Sequence, residues 1–183
     1  MKKLALSPSP TTWRIALMIV SLCLLPALVR ADVTDLVTGV SGIRVSFATQ
    51  KFEGGSQLAV AFQGEPPAWT KADRMEMAVG ANTWPGNVSP FVSLGPVWRR
   101  HTSGGVTYME FGISPTLLEE TEYGDRDMGG NFHFTSSFSV GRPIPQLNGS
   151  AILLRIQHTS NGGLNSRNPG MDMIGITFTA NLN

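Results

Sequence analysis

The sequence predicts an all-β fold: an eight-stranded antiparallel transmembrane β-barrel of the outer-membrane type. Three observations carry that expectation. Beyond an export-like leader, no stretch shows sustained helical periodicity with caps. Eight segments of alternating apolar and polar character succeed one another, separated by turn residues. The longer segments match tilted strands crossing a bilayer, which need roughly 9–11 residues.

The leader comes first. Lys2, Lys3 and Arg14 precede an apolar run over 15–29, and Val29-Arg30-Ala31 then places small residues at the two positions a signal peptidase reads. The run is shorter than the roughly 20 residues of a spanning helix. Residues 1–31 are therefore expected to be a signal peptide and 32–183 the barrel domain. The leader carries four of the 14 Lys and Arg and none of the 13 acids, which leaves 10 basic against 13 acidic residues, a net charge of −3. No basic patch suggests a nucleic-acid partner. The one cysteine, Cys23, lies inside the leader, so disulfides and a cysteine nucleophile are excluded after cleavage. Leu22 precedes it where a lipoprotein acylation site wants a small residue, which argues against such a site.

The strand segments are expected at 42–51, 56–64, 73–84, 88–100, 106–119, 130–142, 150–161 and 170–182. Glu53-Gly54-Gly55-Ser56, Trp84-Pro85-Gly86-Asn87, Ser103-Gly104-Gly105 and Asn148-Gly149-Ser150 supply turns. Two connections are longer: a charged one over 124–130 and an Asn- and Gly-rich one over 161–170. In the sixth segment Phe132, Phe134, Phe138 and Val140 share one parity, and His133, Thr135, Ser137 and Ser139 share the other. In the seventh, Ile152, Leu154 and Ile156 oppose Arg155, Gln157 and Thr159. Alternation alone does not separate a soluble barrel, apolar inside, from a membrane barrel, apolar outside. Export, the absence of cysteine, the strand number and the segment length favour the membrane form. One feature departs from it: the chain ends at Asn183 and not at the usual aromatic, with Phe178 the nearest.

Among the three histidines, His101 adjoins Arg99 and Arg100 beside a Gly-rich turn and is expected to face water. His133 falls on the polar parity, where an interior hydrogen bond is its expected role. No His, Cys or acid cluster shows metal-ligand spacing, so neither a metal nor a cofactor is expected. His158 differs. Residues two apart in a strand project to one face, so His158 and Ser160 stand side by side, and a serine hydroxyl needs an adjacent base to become a nucleophile. Both share the parity of Ile152, Leu154 and Ile156. Asp172 shares the parity of Ile174, Ile176 and Phe178 in the next segment. A His, a Ser and an acid thus meet at one end of two adjacent strands on the apolar face. That fits a catalytic triad, and it also fits polar residues placed where an apolar band meets lipid headgroups.

The run His158-Thr159-Ser160-Asn161-Gly162-Gly163-Leu164, followed by Asn168-Pro169-Gly170-Met171-Asp172, resembles the active-site region of the PagL-type lipid A 3-O-deacylases. The resemblance is specific over roughly 130–182; before that it extends only to strand number and style. It implies His158 as base, Ser160 as nucleophile and Asp172 as the orienting acid, a position that is often Glu in the family. It further implies an oxyanion hole at Gly163 and Asn168, a matching Asn161 beside the nucleophile, and a site aromatic at Phe134. The implied activity is hydrolysis of the 3-linked acyl ester of lipid A, the lipid portion of lipopolysaccharide. The implied place is the outer leaflet of a Gram-negative outer membrane, without a metal and as a homodimer. Two other readings stay open: an outer-membrane phospholipase, and a non-enzymatic structural or adhesive barrel.

Overall fold

A computed structural model describes residues 40–50 and 54–182; the expected signal peptide lies outside these described residues. The chain forms β1 (Gly42–Gln50), β2 (Ser56–Gly64), β3 (Arg74–Trp84), β4 (Asn87–His101), β5 (Tyr108–Leu118), β6 (Glu122–Tyr123), β7 (Arg126–Asp127), β8 (Phe132–Pro143), β9 (Ala151–Ser160) and β10 (Met171–Asn181). Eight of them close a barrel in the order β1-β10-β9-β8-β5-β4-β3-β2, and β6 and β7 form a separate two-stranded ribbon. Every neighbouring pair is antiparallel, including the closing pair β1–β10. Closure leaves no free sheet edge, the condition for strands to sit in lipid.

Exposure decides which face is inside. The apolar parity points outward: Phe47, Phe111, Phe138, Leu154, Ile156, Ile174 and Ile176 are all exposed. The polar parity fills the interior. An apolar belt around a polar lumen is the inversion expected of a transmembrane barrel, and it resolves the ambiguity that alternation leaves.

The lumen is a packed ionic core. Arg44 on β1 contacts Glu76 on β3 at 3.0 Å and Glu110 on β5 at 2.7 Å. Arg74 and Arg99 also reach Glu110, at 2.7 and 2.8 Å, and Arg155 on β9 reaches Glu76 at 3.2 Å. Two buried carboxylates thereby tie together four cations from four strands. Above them, hydrogen bonds link Thr116 to Thr135 and Thr135 to Thr159, and Gln57 to both Asn82 and Gln157. Such groups are tolerated inside because they satisfy one another.

The outer mouth is closed by apolar packing. Trp84, Leu118, Met171 and Met173 cluster with Tyr123 and Met128, which arrive from the connection between β5 and β8. The sequence shows that connection only as a charged stretch; in the structure the β6–β7 ribbon folds it back over the mouth. Tyr123 packs on Trp84, with ring centroids 4.6 Å apart, and donates a hydrogen bond to Ser89 at 2.6 Å. Burial raises its phenol above the usual range, with the Ser89 bond opposing. His133 is fully buried and bonds the Met128 carbonyl at 3.1 Å, the interior hydrogen bond expected of it.

Candidate active site

The site is built from the cross-strand register. Ser136 on β8, His158 on β9 and Asp172 on β10 are direct partners in one row. The row on one side holds Phe134 and Ser160. The row on the other holds Phe111, Phe138, Ile156 and Ile174. All of these share the outward parity. Ser160 and Asp172 lie at the end of the barrel where the chain leaves β9 and enters β10.

His158 Nδ1 and Asp172 Oδ1 are 2.7 Å apart. An ionised carboxylate only accepts, so the imidazole donates from Nδ1, and in the neutral ring Nε2 then keeps its lone pair. That is the tautomer a general base requires. Both side chains stand on the outer surface, His158 half exposed and Asp172 more so. Ser160 follows two residues after His158 on the same face, half-buried. Phe134, also half-buried, is its cross-strand partner. The structure thus brings together His158, Ser160, Asp172 and Phe134 of the residues expected from sequence.

It assigns the loop residues differently. Asn161 is fully buried. Its Nδ2 donates to the carbonyls of Met128 at 3.1 Å and Arg167 at 2.7 Å, and its Oδ1 accepts the Gly163 amide at 3.0 Å. Both ends of the side chain are spent on backbone, so Asn161 shapes the loop over 161–170 from beneath. The Gly163 N–H, expected at an oxyanion hole, is likewise taken by Asn161. Asn168 is exposed, and its Oδ1 accepts the Asn161 N–H at 3.0 Å. That contact fixes the amide orientation and leaves Nδ2 as a donor at the surface.

Ser136, Gly170 and Arg126 also belong to the neighbourhood and are not apparent from the motif. Ser136 is the one small polar residue between Phe134 and Phe138 on the outward face of β8. Below His158 and Asp172 it opens an apolar trough, walled by Phe111, Phe138, Ile156 and Ile174. Its missing bulk was visible in the sequence as a gap in the parity of the sixth segment. Gly170 and Arg126 act through backbone contacts, for which sequence offers no signal.

Comparison with known proteins identifies the family. The family described as Lipid A 3-O-deacylase (PagL) matches residues 50–181. The chain belongs to that family. A curated relative, Lipid A deacylase PagL of Bordetella bronchiseptica, is 32% identical over 120 residues, covering 61% of this chain. The match spans 64% of that relative's length. Among solved structures, the crystal structure of the outer membrane enzyme PagL superposes with a TM-score of 0.61. At 20% identity it covers 76% of this chain and 99% of its own, and this likeness shows a shared barrel fold.

Proposed function

We propose that the chain is an outer-membrane esterase that removes the acyl group at the 3 position of lipid A, with its site open to the outer leaflet. The observation that carries this reading is the His158–Asp172 hydrogen bond on the outside of the barrel. A polar pair of that kind on a lipid-facing surface is costly without a function. Ser160 stands two residues away on the same face, and family membership supplies the substrate.

The topology supports the placement. Both ends of the described barrel, Gly42 and Asn181, pair with each other at the end opposite Ser160. In barrels of this type the termini and short turns face the periplasm and the longer loops face outward. The connections over 119–131 and 161–170 are on the Ser160 side, so the site lies at the depth of the outer leaflet, where lipid A resides.

In the proposed reaction Ser160 Oγ attacks the ester carbonyl while His158 Nε2 takes its proton. Among the described residues Ser160 Oγ makes no hydrogen bond, and catalytic contacts are commonly long before substrate binds. The tetrahedral oxyanion is received by Asn168 Nδ2, the loop donor that its contact with Asn161 leaves turned to the surface. Collapse expels the 3-hydroxyl of the sugar, which regains the proton from His158. Water, deprotonated by the same imidazole, then cleaves the acyl-serine and releases the fatty acid. Asp172 stabilises the imidazolium in both halves. The acyl chain lies along the trough beneath Ser136. The family resemblance also implies a homodimer, which cross-linking in the membrane tests.

Mass spectrometry of lipid A before and after incubation tests the reading. Loss of one 3-linked acyl group, abolished by Ser160→Ala in a folded barrel, is expected. Acyl release from glycerophospholipid with lipid A untouched would make the protein a phospholipase. No serine-dependent release from either lipid would leave a structural barrel.

A further inference from the structure

We infer that Arg126, in the outer loop, is a positioning residue that holds Gly170 against the imidazole of His158 and so sets the geometry of the His158–Asp172 pair. The inference rests on the serine-esterase reading above.

Gly170 immediately precedes β10. Its φ of +68° lies in the left-handed region, and a Cβ built on it would sit 2.8 Å from His158 Cε1. The backbone of Gly170 is therefore in close contact with the imidazole, and no side chain fits between them. This contact matters because His158 stands on the outside of a convex barrel. Asp172 bonds one ring nitrogen, but a single hydrogen bond leaves the ring free to swing about it. Gly170 supplies a second constraint.

What fixes Gly170 is not its own strand. Its carbonyl accepts a hydrogen bond from Arg126 Nη1 at 2.9 Å. Arg126 belongs to β7 and pairs with Tyr123 in β6, and Tyr123 is anchored in the barrel mouth by Trp84 and Ser89. The same two loops are joined again farther along. Arg167 pairs with Asp127 at 2.9 Å, and Asn161 bonds the Met128 carbonyl. Gly129 adds a tight approach, since a Cβ there would lie 2.1 Å from the Arg167 carbonyl oxygen. Those contacts hold the first and middle parts of the 161–170 loop. The Arg126 bond acts at its end, on the peptide that leads into Met171 and Asp172. A glycine in that conformation is a natural hinge, and the guanidinium restrains it.

The test uses the full-length protein purified in detergent, with two readouts: the rate at which a fluorophosphonate probe labels Ser160, and the kinetics of acyl release from lipid A. Labelling needs an activated serine but not the correct lipid, so it is independent of the substrate assignment. Arg126→Ala is expected to slow labelling and kcat about 10- to 100-fold, the scale of a small misplacement of reacting groups, with KM little changed. The heat-modifiable gel mobility of a folded barrel is expected to persist. Arg126→Lys and added guanidinium are each expected to restore part of the rate. Gly170→Ala is expected to cost at least as much. The double variant should then lose little beyond Gly170→Ala alone, because both changes act on one contact.

Labelling of Arg126→Ala at the wild-type rate would overturn the inference. So would a raised KM with labelling unchanged, which would make Arg126 a ligand for the anionic groups of the lipid, or losses that multiply in the double variant. Failure of the wild type to label at Ser160 would remove the serine mechanism itself, and this inference with it. Labelling of the wild type without action on lipid A would overturn only the substrate assignment.

Discussion

Asp172 and His158 are direct cross-strand partners, and their side chains meet at 2.7 Å on the outside of the barrel. The register of β9 and β10 therefore sets the proposed acid–base pair, and Ser160 follows at the end of β9. Replacement of Asp172 by Asn keeps the shape, removes the charge and allows the other tautomer. Acyl release is expected to fall about 10²- to 10⁴-fold. Asp172→Glu is expected to keep much of the activity, since the charge is preserved and the Gly-rich loop before it adjusts to one methylene. Comparison of both variants after a folding check decides the matter. Equal activity of the Asp172→Asn protein and wild type would reduce Asp172 to an interface residue and send the search for the acid to Asp125 and Asp127.

Ser136 faces His158 from β8 and forms part of the trough between the paired polar groups and Phe138. Ser136→Leu fills that space and leaves the triad side chains as they are, removing only the long hydrogen bond from Ser136 Oγ to the His158 carbonyl at 3.5 Å. A hydrophobic wall discriminates between acyl chains by about 1–3 kcal/mol per methylene. The ratio of long-chain to short-chain ester turnover is therefore expected to fall about tenfold. A series of lipid or synthetic esters of graded chain length measures it. An unchanged ratio with a uniformly lower rate would show that the acyl chain lies elsewhere.

Glu110 holds Arg44, Arg74 and Arg99 inside the lumen. Glu110→Gln leaves three cations with reduced compensation, and breaking a buried ion pair typically costs about 3–5 kcal/mol. Its row of the sheet, with Ser139 and Arg155, is three rows from that of His158, and its side chain is on the opposite face. The expected result is a barrel that unfolds at markedly lower urea when monitored by tryptophan fluorescence in vesicles, with the activity of the folded fraction close to normal. Unchanged unfolding would mean that the remaining carboxylate, Glu76, suffices.

These outcomes also mark what was legible beforehand. All eight barrel strands could be placed within two residues because each carries period-two alternation and ends at glycine or another turn former. The candidate triad was legible for the same reason: strand parity puts His158, Ser160 and Asp172 on one face whatever the closing geometry. The direction of that face was not, because alternation reads identically in soluble and membrane barrels. It needed the lumen, where Arg44 and Glu110 meet across β1 and β5. The 119–131 connection was opaque for another reason. Tyr123 and Met128 are lone apolar residues in a charged stretch, and their burial depends on the space left by Trp84 and Met171. The same limit applies to Asn161. Its place beside Ser160 suggests a catalytic donor, yet its partners are carbonyls from segments with no sequence pattern of their own.

Asn161 gives the last prediction. Its side chain makes three hydrogen bonds, two donated to the Met128 and Arg167 carbonyls and one accepted from Gly163 N. Asn161→Ala takes a partner from the Arg167 carbonyl and the Gly163 amide and leaves the Met128 carbonyl to His133 alone, and each group left unpaired away from water costs about 1–3 kcal/mol. The barrel does not depend on that site, because its strands are held by their own ladders and by the lumen network. The expected loss is local. The loops over 119–131 and 161–170 should come apart, become open to protease, and carry Asn168 away from the ester, so that acyl release falls while the thermal transition of the barrel stays in place. Asn161→Asp is expected to be no better. It keeps the acceptor for Gly163 N but sets a carboxylate against two carbonyl oxygens. Limited proteolysis alongside kinetics separates this role from direct catalysis. An Asn161→Ala protein that loses turnover while its outer loops stay as protease-resistant as wild type would show that Asn161 acts on the substrate after all, as its position next to Ser160 suggests.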